Sequence, residues 1–329
     1  MKIALIRFFP VETKFRFIRL RFAAFAISLA LMIGSIAAFF AIGLNFGIDF
    51  RGGTLIEVQT EGPADLGAIR STLNGLGLAD INVQGFGGAD EVLITVGTME
   101  PEAVRALPPP AGRDAWPEDL DAEAAQQGVR AVVQAELSQA FPGIEYRRLE
   151  VVGPQVSGEL VEKGVMAVLA ALFLMLVYIW FRFEWQYSIG AVLALTHDVV
   201  ATIGFFAVTQ MEFNLSTIAA ILTIVGYSMN DTVVVYDRIR EELRKYKTMP
   251  LPEVLDKAIN QTLSRTFMTS GTTLVALVAM ATIGGAALQG FAVALIWGIL
   301  IGTYSSVFVG APLLMLTGVK RSSEEDEEA

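Results

Sequence analysis

Six stretches of this chain are apolar over roughly the 17–25 residues that a helix needs to cross a hydrocarbon core. They are 22–44, 164–181, 187–208, 215–236, 266–285 and 291–316. Of the 329 residues 53% are hydrophobic and 18% charged, and a soluble fold with that balance would expose too much apolar surface. The first run could be taken for a secretion signal. It exceeds the roughly 7–15 apolar residues of a signal core and reads as a retained helix. The sequence therefore predicts a multi-pass α-helical membrane protein.

Residues 45–162 interrupt this pattern with turns, charges and short alternations. Thr54–Gln59 alternates as a strand does, and Pro63–Leu76 has helical spacing. Ile81–Phe86 and Val92–Val96 are strand-like runs joined by a Gly87-Gly88-Ala89-Asp90 turn. A proline- and acid-rich loop covers Pro108–Asp121, an amphipathic helix Glu123–Phe141 and a last strand Ile144–Val152. The order β-α-β-β-α-β predicts a ferredoxin-like α+β domain between the first and second membrane helices.

Lys and Arg give the orientation. Sixteen fall on one side: six in the basic N-terminus 1–21, Arg182, seven in Arg238–Arg265, then Lys320 and Arg321. The opposite turns, 209–214 and 286–290, hold none. Both termini and the charged segment 237–265 are expected in the cytoplasm, and the α+β domain on the far side. The apolar face of Glu253–Leu263 is expected to lie along the membrane surface. The acidic tail in 317–329 reads as a solvated end.

Several function classes drop out. The chain has no cysteine and one histidine, which excludes thiolate and clustered-histidine metal sites. Its net charge of −10 includes no basic face for nucleic acid. Gly52-Gly53 lacks the rest of a P-loop and reads as a turn into a strand. No hydrolase constellation stands out, so neither a catalytic residue nor a cofactor is expected.

Ionisable residues inside membrane helices are costly and default to a functional reading. The third helix carries His197 and Asp198; the fourth carries Asn230 and Asp231. The fifth opens on Arg265, with Thr269, Thr272 and Thr273 on one stripe and Thr266, Ser270 and Thr273 on another. Desolvation disfavours the charged form of a carboxyl and a nearby guanidinium restores it, so moving the arginine would switch a carboxyl between holding and releasing a proton. Structural readings stand beside this one. Arg265 can reach the headgroups, and Asp198 can act as interhelical glue. The Gly298, Gly302, Ser306, Gly310 ridge of the sixth helix reads as packing.

Four motifs in order then resemble the SecD/SecF family of the resistance-nodulation-division superfamily. They are Phe46-Gly47-Ile48-Asp49-Phe50-Arg51-Gly52-Gly53-Thr54, Val151-Val152-Gly153-Pro154, the run Gly226–Glu241 around Asn230-Asp231, and Ser264-Arg265-Thr266 with Thr269-Ser270. The resemblance implies half of a two-half membrane bundle in a bacterial inner membrane. It implies a SecD partner, the Sec translocon, secreted preproteins as substrate, and use of the proton gradient in late export. It also implies a proton relay of Asp231 and Arg265, with Asp198 in a family motif and Asn230 and Thr269 in support. Gly47, Asp49, Gly52 and Gly53 form the family motif after the first helix. An efflux subunit of the same superfamily is the alternative, and a passive scaffold a third reading.

Overall fold

A computed structural model describes residues 13–110 and 114–319. Lys2 and Arg7 of the basic N-terminus, Arg113 of the proline-rich loop, and Lys320, Arg321 and the acidic tail lie outside the described residues. The chain divides into two compact units, an α+β unit of 46–165 with 212–215 and a helical unit of the remainder.

The α+β unit opens with the short helix α2 (Ile48–Arg51), after α1 (Arg21–Ala41) of the helical unit. It continues through β1 (Gly53–Gln59), α3 (Leu66–Asn74), β2 (Asn82–Gly85), β3 (Glu91–Val96), α4 (Pro101–Arg105), α5 (Ala122–Ala140) and β4 (Glu145–Val152). The sheet order is β2-β3-β1-β4, antiparallel throughout. This is the ferredoxin-like arrangement, with α4 added. Alternate residues of a strand point to opposite faces. Ile56, Val58, Val92, Ile94 and Val96 accordingly meet Ile69 and Leu73 of α3 and Val129, Val133 and Leu137 of α5 in the main core. Leu55 and Leu93 turn the other way and join Ile48. Asp65 and Asp121 cap α3 and α5, accepting from Ala68 N at 2.9 Å and Ala124 N at 2.7 Å. Trp116 packs on the core from the proline-rich loop and donates to Leu107 O at 2.9 Å. A side chain at Gly128 would collide with its ring.

Among the described residues, six helices are long and apolar enough to cross a membrane. They are α1 with the 3-10 turn Ile18–Leu20 before it, α6 (Pro154–Arg182), α7 (Trp185–Thr209), α8 (Leu215–Lys245), α9 (Leu251–Ile283), and a composite sixth. The sixth runs from α10 (Ala286–Ser305) through a π-helical segment, Ser306–Gly310, into α11 (Ala311–Thr317). Pro154 opens α6, where its missing N–H costs nothing. Pro312 follows the π segment, and a proline ring crowds the carbonyl four residues back, here Phe308 inside the widened turn.

Two elements differ from the sequence reading. The fourth helix continues to Lys245, and Glu253–Leu263 is not a separate surface helix. It is the start of α9, which runs unbroken to Ile283. Neither proline nor glycine falls between Glu253 and Ser270 to stop it. The predicted apolar face is buried at Val254, Leu255, Ala258, Ile259 and Leu263. It packs inside the protein, beside the chain just before α1. There Asn260 accepts from Phe15 N at 2.9 Å and donates to Phe15 O at 2.8 Å, and Asp256 accepts from Ile18 N at 2.8 Å. Glu242 of α8, fully buried, is held by Arg238 at 3.2 Å and by Lys257 of α9 at 3.4 Å.

Candidate functional site: two carboxylates in the helical unit

Small residues bring the helices close enough for polar side chains to meet. A side chain at Gly204 of α7 would overlap Ser35 of α1, one at Gly298 of α10 would overlap Ile224 of α8, and one at Gly302 would press on Ser228. Close approach of this kind lets membrane helices gain from packing without a hydrophobic driving force.

Asp198 is completely buried in α7. Its Oδ2 accepts from Ser228 of α8 at 2.6 Å and from Ser305 of α10 at 2.8 Å. Its Oδ1 lies 3.0 Å from Nδ1 of His197, itself buried. This contact uses Nδ1, and Nε2 is the ring nitrogen left over from it. That Nε2 has no hydrogen-bond partner among the described residues.

Asp231 is half-buried in α8. Its Oδ1 accepts from Thr266 of α9 at 2.5 Å and its Oδ2 from Ser306 at 2.6 Å. It makes no ion pair among the described residues. Both carboxylates thus rest on hydroxyl groups from neighbouring helices, and two consecutive serines at the start of the π segment reach one each.

The other residues singled out in the sequence lie differently. Arg265 is exposed and forms no salt bridge among the described residues, although its charge acts on Asp231 through space. Asn230 is exposed on α8. Thr269 is exposed, and its hydroxyl returns to the carbonyls of Arg265 and Thr266, at 3.1 and 3.0 Å. Thr266, one residue from the arginine, makes the direct contact with Asp231. Ser305 was not singled out by the sequence reading, and Ser306 stood there only as part of a packing ridge. The available signal was a pair of adjacent serines in a membrane helix two turns before a proline.

The glycine motif lies in the α+β unit and has a steric basis. Gly52 and Gly53 adopt φ of +73° and +125°, a region where side chains are strained. A Cβ on Gly53 would also strike the Val96 carbonyl. Asp49 accepts from Leu215 N at 2.7 Å. Gly47 donates to Phe213 O at 2.9 Å and leaves room for the Glu212 carboxylate, which a Cβ would displace. Burial pushes Glu212 above the usual carboxylate range; Asp49 and Glu150 push the same way, against Arg148 and a bond from Asn214. A raised value in the folded state means that the protonated form is preferred there. Its stabilisation is full at low pH and lost as pH rises through the folded-state value. Glu212→Gln is therefore expected to melt above wild type at neutral pH. That difference shrinks as pH falls through the raised folded-state value and is gone below about 4.3, the ordinary glutamate value. Melting temperature against pH in detergent checks this, and a difference that grows on acidification contradicts it.

Residues 132–320 match the family described as protein export membrane protein SecD/SecF, C-terminal, and residues 37–64 match the SecD/SecF GG motif. Protein translocase subunit SecF of Rhodobacter capsulatus is 42% identical over 98% of this chain and 94% of its own length. That of Magnetococcus marinus is 48% identical over 94% and 93%. Protein translocase subunit SecDF of Brucella abortus is 42% identical over 96% of this chain. The crystal structure of SecDF from Thermus thermophilus superposes with a TM-score of 0.78 at 33% identity over 94% of this chain. This chain spans 39% of the length of each of these SecDF chains. The relatives give the efflux alternative no support. With its six membrane helices, its inserted sheet domain and near full-length similarity to export subunits, the chain belongs to the SecD/SecF family of protein export membrane proteins.

Proposed function

We propose that this chain is a proton-coupled subunit of the Sec export machinery in a bacterial inner membrane. It pairs with a SecD subunit and helps draw secreted preproteins from the Sec translocon into the periplasm. The similarity to SecDF chains, of which this chain matches under half the length, supports a SecD-type subunit as the other half. The excess of Lys and Arg on one side supports cytoplasmic termini and a periplasmic α+β domain. No chemical catalysis is assigned to it.

The observation that carries the reading is Asp231. A carboxylate between membrane helices, held by two hydroxyls and paired with no cation among the described residues, is stable enough to form and free enough to be neutralised. Hydroxyls donate to the charged form and accept from the protonated one. Asp198 is the second proton-carrying group in this reading. Arg265, Asn230 and Thr269, exposed around Asp231, belong to the path by which a proton reaches it. Each elementary charge that crosses the membrane releases roughly 2.3 kcal/mol per 100 mV, which a conformational step of the periplasmic domain can use.

The test is the rate at which a translocated precursor is released from inverted or spheroplast membranes with and without a proton gradient. A component of release that needs both the gradient and this chain is expected. Release that ignores the gradient in membranes containing the intact pair would leave only the scaffold role.

A further inference from the structure

The π segment starts where Ser305 and Ser306 stand side by side, and each serine hydroxyl has two acceptors within reach. Ser306 Oγ lies 2.6 Å from Asp231 Oδ2 and 3.1 Å from the carbonyl of Thr303. Ser305 Oγ lies 2.8 Å from Asp198 Oδ2 and 3.2 Å from the carbonyl of Gly302. A hydroxyl has one hydrogen, so it serves either the carboxylate on another helix or the backbone of its own turn. An ionised carboxylate is the stronger acceptor and holds it. A protonated carboxyl is a weaker one and offers a hydrogen of its own.

The backbone here is suited to respond. Ala311 N–H reaches Ser306 O, five residues back, so the segment is one turn wound wider than its neighbours. Such turns are rare and concentrate at functional positions. Tyr236 of α8 donates to Gly310 O at 3.0 Å at the other end of the segment. Helix α8 therefore grips the widened turn at both ends, through Asp231 and through Tyr236. Only the first of these grips depends on a proton.

We infer that Ser306 is a positioning residue that couples the charge of Asp231 to the π segment of the sixth helix. Protonation turns its hydroxyl from Asp231 to Thr303 O and loosens the Ser306 end of the segment from α8, while Tyr236 keeps its hold on Gly310. Ser305 holds the adjacent position on Asp198, so the two carboxylates share one mechanical element. This inference rests on the proton-coupled reading of Asp231 and names the part that converts the proton into movement. Among titratable groups on the neighbouring helices, Arg265 of α9 acts on Asp231 through space, without an ion pair among the described residues. Asp198 and His197 of α7 and Tyr304 lie on the Ser305 side, with the His197 and Tyr304 rings 6.2 Å apart.

The test uses Ser306→Ala, Ser306→Thr and Asp231→Asn in the reconstituted pair with its SecD subunit. Infrared difference spectra after an acid jump give the carboxylate stretching band that Asp231 loses on protonation, identified by its absence in Asp231→Asn. In Ser306→Ala that band is expected to shift, because the carboxylate loses a hydroxyl donor, and gradient-dependent precursor release to fall about tenfold, equivalent to roughly 1.4 kcal/mol. Ser306→Thr is expected to restore both. If Ser306→Ala does not assemble, Ser306→Cys, close in size with a weaker donor, carries the same comparison. A wild-type band and wild-type release in Ser306→Ala overturn the inference while Asp231→Asn still loses coupling. A loss of release with an unmoved band reduces Ser306 to packing and overturns it too. Gradient-dependent release that survives Asp231→Asn overturns the proton-coupled reading itself.

Discussion

Asp231→Asn is expected to abolish the gradient-dependent part of precursor release while leaving the chain folded and paired. The two side chains match in shape. The new amide would still accept one hydroxyl through its oxygen and meet the other through its nitrogen, because Thr266 and Ser306 can accept as well as donate. Packing between α8, α9 and the sixth helix is therefore kept. What the amide cannot do is gain or lose a proton. A step driven by charge movement would lose its driving force, roughly 2.3 kcal/mol per charge per 100 mV, or about fiftyfold in an equilibrium. Release without a gradient should match wild type. Release that retains its gradient dependence in the variant would remove Asp231 from the mechanism.

Gly204→Leu is expected to give the largest loss of stability. The Cβ it introduces would overlap the Oγ and Cβ of Ser35 and also its Cα, a backbone atom that cannot swing away. Ser35 is buried at this crossing, and α1 must move for α7 to carry any larger residue. Overpacking against mobile side chains typically costs about 1–3 kcal/mol, and a backbone obstacle puts this case at about 3 kcal/mol or more. The displacement would spread, since Ser28, further along α1, bonds to the Tyr304 hydroxyl at 3.1 Å. Gly271→Leu on α9 is the control, because nothing lies within 4 Å of the Cβ it adds. Thermal unfolding in detergent should show a large drop for Gly204→Leu and little change for Gly271→Leu. Equal melting temperatures would mean that α1 and α7 do not cross as closely as described.

The sequence carried most of the architecture because its signals were strong and local. An apolar run of membrane length reports a helix whatever surrounds it, and six runs correspond to six helices. Alternation in Thr54–Gln59 and Val92–Val96, with helical spacing between and after, was enough to order the ferredoxin-like domain. The fate of Glu253–Leu263 was not local. Its apolar face looks the same whether it meets lipid or protein, and only the chain at Phe15–Ile18 decides between them.

The candidate site was legible in its acids and not in their partners. Asp198 and Asp231 stand out because charge is rare in apolar helices. Arg265 and Thr266 are roughly 100° apart around one helix, at 3.6 residues per turn, but the spacing does not say which of them faces α8. In the structure Thr266 does. Ser305 and Ser306 could not be read as a pair with two targets, because their directions depend on how the helix is wound between them and Gly310. The widened turn sets those directions, and its cause, Pro312, lies outside the motif.

Proton uptake tests the central claim most directly. Proteoliposomes holding the chain and its SecD subunit, loaded with a pH-sensitive dye and energised with a potassium diffusion potential, would report proton entry per complex for wild type and Asp231→Asn. Entry in wild type that falls to the level of empty vesicles in Asp231→Asn is the expected result. Equal entry in both would show that protons cross without this carboxylate, and the coupling site would have to be sought elsewhere.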